Sequence, residues 1–307
     1  MRFGIQAGLF GNPTLEKGLE RIRAAGYDGV EWTWGDVGAP CGLVSGDANK
    51  KILEGAKKIR RMSEKFGLEA VSVTPGILPN FADEPEVLEA HFEGIRESGA
   101  KFLRMFAPVY VGILKPGNRF EKYYDGRKDY HTLAKDFNRH LEVLCRMGEE
   151  HNVRVLFEMH DGYCPSSCSG YYLLLKNYSP GHIGVIYDPE NMIREGMENW
   201  RMSIEMIYPY LGYVHVKNMI WVRGKGMSPP QHMKKWGTQR VGLDDGIVDW
   251  CQIIYFLKKH GFEGYLVDED FSRGKAEDRF ENISYLRGLV KQEKDPWDKW
   301  FNWGKEA

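Results

Sequence analysis

The sequence has little that could hold it together covalently. Only five of its 307 residues are cysteine (Cys41, Cys145, Cys164, Cys168 and Cys251), an odd and scattered set that argues against a disulfide framework. Cys164 and Cys168 have no second pair at matching spacing, and the Pro165-Ser166-Ser167 between them reads as loop, so no structural zinc is assigned there. No apolar run approaches the roughly 18–20 residues of a membrane span. The opening Met1-Arg-Phe-Gly-Ile-Gln-Ala-Gly-Leu-Phe10 reads as a strand and is too short and unflanked for a signal peptide. The expectation is a cytoplasmic protein with no membrane partner. An excess of one charge is also missing: 42 Lys and Arg against 43 Asp and Glu give a net charge of -1, with no basic run, which argues against a nucleic-acid partner. Gly4, Gly8 and Gly11 lack the dinucleotide-binding spacing, so an open doubly wound sheet is disfavoured.

What is present is a weak internal repeat. An amphipathic helix ends in Gly or Asn, a residue or two follow, and a short apolar strand begins. It occurs around Gly26, Gly67, Gly99, Asn152 and Gly261. The opening strand near Phe3–Ala7 and the runs near Ile183 and Tyr213 bring the strands to eight. Helix-period stretches separate them: Thr14–Ala25, Ala48–Phe66, Pro85–Ser98, Tyr130–Glu150 and Val248–His260. Strands alternating with helices over this length predict a single-domain α/β fold, a (β/α)8 TIM barrel over residues 1–290. Residues 291–307 leave the repeat. Their three tryptophans predict a tail packed on the barrel or on a neighbouring subunit, so a homo-oligomer is compatible with the sequence.

Four of the strand-like runs in the second half stop at a polar side chain: Arg154–Glu158, Ile183–Asp188, Tyr213–His215 and Tyr265–Glu269. A strand buried on both faces has no low-cost place for an unpaired carboxylate, so such a charge sits at a strand end or binds something. Three carboxylates and one imidazole on successive strands suit a divalent cation. Singly, each has a plainer role. Asp188 suits the cap of a following helix, His215 a satisfied core histidine, and Glu269 stands between Asp268 and Asp270, where a shift of one residue turns a different acid inward. Two long connections, Ala107–Asp129 and Met219–Asp244, belong on the C-terminal face, the side of a barrel that carries chemistry. Tyr110, Tyr123, Tyr124, Trp221, His232 and Trp236 within them suit walls around a small polar ligand. Ser272-Arg273-Gly274-Lys275 reads as an exposed loop in preference to a phosphate cradle.

The chain resembles the xylose isomerase-like barrels, a superfamily of sugar isomerases, epimerases and related lyases that includes the AP-endonuclease type. The likeness runs to about Leu289 and rests on Gly26-Tyr-Asp-Gly-Val-Glu31, Phe157-Glu158-Met-His160, Tyr187-Asp188-Pro-Glu-Asn191, Val214-His215-Val-Lys217, Gly242-Leu-Asp-Asp-Gly246 and Gly264-Tyr-Leu-Val-Asp-Glu269. It implies one divalent ion (manganese, cobalt, magnesium or zinc) on Glu158, Asp188, His215 and Glu269. Glu158 and Glu269 would lie on opposite sides of a bound sugar as acid and base. The expected activity is isomerisation or epimerisation of a small keto-sugar or polyol through an enediolate, with a bridging cation stabilising the charge.

The sequence departs from the epimerase pattern where a histidine commonly follows the second ligand by three residues. Here that position is Asn191, and His160 stands two past the first ligand. Asn191 can hydrogen-bond a hydroxyl but cannot shuttle protons, whereas His160 can. This raises the alternative of a metal-dependent lyase: dehydration of a keto-inositol or elimination from a 3-keto-glycoside, with His160 as acid. Arg104 and Lys217 can supply positive charge to an oxyanion or a carboxylate, or can pair with the nearby acids. Arg104, His160, Asn191 and Lys217 are thus the candidate substrate-binding residues. A non-catalytic sugar-binding protein would have no use for two such carboxylates. An AP-endonuclease would need a three-metal cluster with more histidines and a basic groove.

Overall fold

The computed structural model describes residues 1–9, 14–41, 47–76, 82–83, 85–110, 128–224, 236–272 and 279–293. Eight parallel strands close into a barrel: β1 (Arg2–Gln6), β2 (Gly29–Thr33), β3 (Glu69–Thr74), β4 (Phe102–Phe106), β5 (Arg154–Glu158), β6 (Ile183–Tyr187), β7 (Leu211–Val216) and, last in the chain, β10 (Tyr265–Asp268). Their order around the barrel is β1-β10-β7-β6-β5-β4-β3-β2. The expected (β/α)8 barrel is therefore present, as a single domain. The helices are α1 (Leu15–Ala25), α2 (Asp47–Phe66), α3 (Pro85–Ser98), α4 (Tyr130–His151), α5 (Cys168–Leu175), α6 (Pro189–Arg194), α7 (Trp200–Ile207), α8 (Trp250–Lys259) and α9 (Arg279–Lys291).

The repeat has a backbone cause. Gly26, Gly67, Gly99, Asn152 and Gly261 all take positive φ (94°, 62°, 76°, 53° and 72°), the left-handed turn that lets the chain leave a helix and enter a strand. At Gly26 the backbone N–H returns to Arg23 O, closing α1.

Two apolar regions form on the two faces of the strands. Outside the barrel, helix side chains pack on alternate strand residues such as Val155, Phe157, Val185 and Tyr187. Inside, Val71, Leu156, Ile186, Tyr213, Tyr265 and Val267 form a plug with Phe102 against it. Strand period two then dictates what lies above the plug, because the next inward residues on β5, β6, β7 and β10 are two positions on: Glu158, Asp188, His215 and Glu269.

The connection Met219–Asp244 is more than an insertion. It carries an antiparallel hairpin, β8 (Asn218–Arg223) with β9 (Trp236–Val241), which starts two residues after β7 ends and pairs Trp221 with Thr238. Buried Asn218 ties its root down, with Nδ2 donating to Leu243 O at 2.8 Å and Val248 O at 3.1 Å. Tyr110, Trp221 and Trp236 are exposed. Tyr123, Tyr124, His232, Arg273–Lys275 and 294–307 of the tail lie outside the described residues. The five cysteines are free. Among the described residues no helix is long and apolar enough to cross a membrane.

Candidate metal centre

One donor atom from each of Glu158, Asp188, His215 and Glu269 lies within 4.8 Å of all the others, and the four residues are buried. Each comes from a different strand end, so the closed barrel itself brings them together. His215 Nδ1 lies against all three carboxylates, at 3.2 Å from Glu158 Oε1, 3.3 Å from Glu269 Oε2 and 3.4 Å from Asp188 Oδ2.

The plainer roles resolve residue by residue. Asp188 does cap a helix: Oδ1 accepts from Asn191 N at 3.2 Å at the start of α6, while Oδ2 reaches the cluster. Both functions are met by one carboxylate. His215 is fully buried but both of its ring nitrogens lie against carboxylates, which is not how a core histidine is satisfied. Around Glu269 the strand alternation decides. Asp268 turns outward to Tyr27 Oη at 2.6 Å and Asn282 Nδ2 at 3.2 Å, and Asp270 also accepts from Asn282, at 3.1 Å, so Glu269 alone of the three faces the barrel axis.

Two cations lock the carboxylates. Lys217 Nζ bridges Asp188 Oδ2 at 2.7 Å and Glu269 Oε2 at 2.5 Å. Arg104 Nη2 donates to Glu158 Oε2 at 2.5 Å and lies 3.4 Å from Glu269 Oε1, while Nη1 pairs with Glu31. The ion pairs anticipated for these two residues are thus the arrangement present. Asn191 is buried and its Nδ2 donates to Asp188 Oδ2 at 2.7 Å, so it orients that carboxylate. His160 stands at the rim with its side chain 36% exposed, its Nδ1 at 2.8 Å from Asp161 O and its ring edge-on to both Phe106 and Tyr163.

The sequence reading gave no role to Glu31, Gln6 or Tyr213. Glu31, at the third position of β2, points inward two residues past Gly29. Its Oε2 lies 3.1 Å from His215 Nε2 and accepts from Tyr213 Oη, and its Oε1 accepts from Gln6 Nε2 at 2.9 Å. Gln6 Nε2 also reaches Glu269 Oε1. The available signal is the period of two from Gly29, which puts Glu31 on the same face as Glu158, Asp188, His215 and Glu269.

The electrostatics follow. Burial opposes ionisation of Glu31, but Arg104 and His215 beside it bring its carboxyl down to about 2. Burial likewise opposes the charge on Glu158 and Asp188, yet Arg104 holds Glu158 well below the carboxylate range and Lys217 lowers Asp188. Desolvation would lower His215, but the surrounding Glu269 and Glu31 push it well above its ordinary value. Glu190, just behind Asp188, is pushed up to about 7 by burial. In the central cluster four carboxylates (Glu31, Glu158, Asp188, Glu269) face two permanent cations (Arg104, Lys217), which leaves two negative charges when the imidazole is neutral. A divalent ion would cancel that deficit. The donors suit one too, because ligand distances of about 2.0–2.6 Å set opposite donors about 4–5 Å apart.

A family model described as xylose isomerase-like TIM barrel matches residues 19–289. A search of curated proteins gave no match. Among solved structures, the chain is similar to 3-keto-D-glucoside 4-epimerase from E. coli at 17% identity, covering 94% of this chain and 99% of that one with a TM-score of 0.67. It is similar to the IOLI protein, solved with a zinc atom bound, at 14% identity over 94% and 98% of the two chains with a TM-score of 0.67. It is also similar to a probable 3-DHS dehydratase from Bacillus anthracis, at 12% identity over 96% and 100% with a TM-score of 0.64. At such identities the likeness establishes the fold.

Proposed function

The chain belongs to the xylose isomerase-like TIM barrel family, and from that premise we propose that it is a divalent-metal-dependent sugar isomerase or epimerase acting on a small keto-sugar or polyol. The observation that carries this reading is the placement of Glu158 and Glu269 three strand positions apart around the barrel, in one buried cluster with His215 and Asp188. Glu158, Asp188, His215 and Glu269 would hold the ion. When bound, it would polarise the substrate carbonyl and offset the negative charge that develops there.

The residues supply the rest. Removing a proton beside a ketone needs a base within hydrogen-bond reach. Glu158 and Glu269 converge from separated strands, so one can take the proton from one face of the sugar and the other can return it to the opposite face. Arg104 on Glu158 and Lys217 on Glu269, each at 2.5 Å, give both carboxylates a counter-charge in the buried site and hold them in place. Gln6, on Glu269, and Asn191, on Asp188, fix the orientation of these groups. The similarity to an epimerase of a keto-glucoside supports a keto-sugar as the substrate class.

A second reading rests on His160. It lies near Glu158 at the half-exposed rim, where a proton donor could protonate a departing hydroxyl or alkoxide, and a probable dehydratase shares the fold. The discriminating experiment is incubation of the metal-loaded protein with a panel of keto-sugars and inososes in heavy water. Deuterium in a product of unchanged carbon skeleton, lost in Glu269→Gln, supports epimerisation or isomerisation. Loss of water or of an aglycone, abolished in His160→Ala, supports the lyase. Absence of deuterium entry from every substrate, with metal bound, would overturn both.

A further inference from the structure

We infer that Glu31 is a positioning residue that fixes His215 as an Nδ1 donor to the cation. The inference rests on reading Glu158, Asp188, His215 and Glu269 as the metal-holding set, and extends it to how the imidazole is oriented.

The two ring nitrogens of His215 face different surroundings. Nδ1 looks into the three ligand carboxylates, at 3.2–3.4 Å. Nε2 looks away from them, to Glu31 Oε2 at 3.1 Å. A ligating imidazole is neutral and carries one proton, and its other nitrogen usually donates to a carboxylate or carbonyl. With the cation among the three carboxylates, the lone pair must be on Nδ1 and the proton on Nε2, where Glu31 accepts it. The opposite tautomer would set a bare Nε2 against a buried carboxylate and a proton against the ion.

Glu31 is itself held as an acceptor. Each of its neighbours donates: Arg104 Nη1, Gln6 Nε2 at 2.9 Å and Tyr213 Oη, with Tyr213 Oη in turn 3.0 Å from Ser72 Oγ. Glu31 is 2% exposed, so bulk solvent does not reach these bonds. Glutamine at this position would turn an amide N–H₂ toward at least one donor. If it faced His215, the ring would have to accept at Nε2 and place its proton on Nδ1, where the cation belongs. Arg104 links the device to the acid-base pair, since the same guanidinium that neutralises Glu31 holds Glu158 at 2.5 Å. Outer partners of this kind typically contribute 10–100-fold to metal affinity.

The test measures metal binding and tautomer and does not depend on turnover. Zinc-loaded protein with ¹⁵N-labelled histidine should show the His215 ring proton on Nε2, strongly deshielded. Cobalt affinity, measured by competition with a chelating dye, should fall about 10–100-fold in Glu31→Gln, with a changed cobalt absorption spectrum. Tyr213→Phe, which removes one donor from Glu31 while keeping the ring that packs edge-on against His215, should give a smaller loss in the same direction and move the Nε2 proton signal, and it decides the matter if Glu31→Gln does not fold. Cobalt affinity and spectrum unchanged in these variants, with only the metal-free melting temperature lowered, would overturn the inference and leave Glu31 as a counter-ion for Arg104. A ring proton on Nδ1 would also overturn it. Wild-type protein that binds neither metal would instead overturn the metal-holding set on which the inference stands.

Discussion

Replacing Lys217 by methionine should destabilise the protein chiefly when metal is absent. Lys217 is 4% exposed and its ammonium lies 2.7 Å from Asp188 and 2.5 Å from Glu269, so methionine keeps much of the stem while taking the nearest cation from two buried carboxylates. Removing one partner of a buried ion pair costs about 3–5 kcal/mol, because the remaining charge stays desolvated. A chain of this size loses roughly 2 °C of melting temperature per kcal/mol, so the metal-free variant should melt about 6–10 °C lower than metal-free wild type. In the metal-loaded form both carboxylates would have the divalent ion as counter-charge, and the loss should be less than about half as large. Differential scanning calorimetry of both proteins, with and without manganese, gives the four melting temperatures. A drop below about 2 °C without metal, or an equal drop with and without it, would refute the account of Lys217 as a counter-charge sharing its carboxylates with the cation.

Three other substitutions separate chemistry from scaffold. Glu269→Gln should abolish deuterium exchange into substrate, whereas Asp268→Asn should leave metal content and exchange intact and lower the melting temperature through the Tyr27 and Asn282 bonds; the reverse pattern would mean that the wrong acid of the pair faces the barrel axis. Gly184→Ala on β6 would put a Cβ 2.3 Å from the carbonyl oxygen of Tyr210, backbone that cannot step aside, and should cost about 1–3 kcal/mol in thermal melts with or without metal. An unchanged melt would mean that the strand and the turn before β7 separate freely.

The barrel was legible in the sequence because its punctuation is local. The left-handed residue after each of five helices is a Gly or Asn at a fixed place in the repeat, and the apolar runs that follow are the strands. The buried cluster of Glu158, Asp188, His215 and Glu269 was legible because buried parallel strands most readily tolerate a polar side chain at their ends, and four such runs end that way in succession. Glu31 was not, since its run, Gly29-Val-Glu-Trp-Thr33, shows a charge in mid-strand whose partners are 25 to 184 positions away in the chain. The hairpin β8–β9 was hidden because β8 follows β7 across Lys217 with no turn signal between them. Asn191 has the chemistry of a substrate contact, but its bond to Asp188, three residues earlier, is set by the cap of α6.

The most direct test of the metal centre is elemental analysis of wild type and His215→Ala, each purified without a metal-binding tag and reloaded with manganese. The buried donors and their charge deficit predict about one equivalent of divalent metal in the wild type and its loss in the variant. Wild-type protein that holds no metal after reloading, or a variant that holds as much as the wild type, would contradict it.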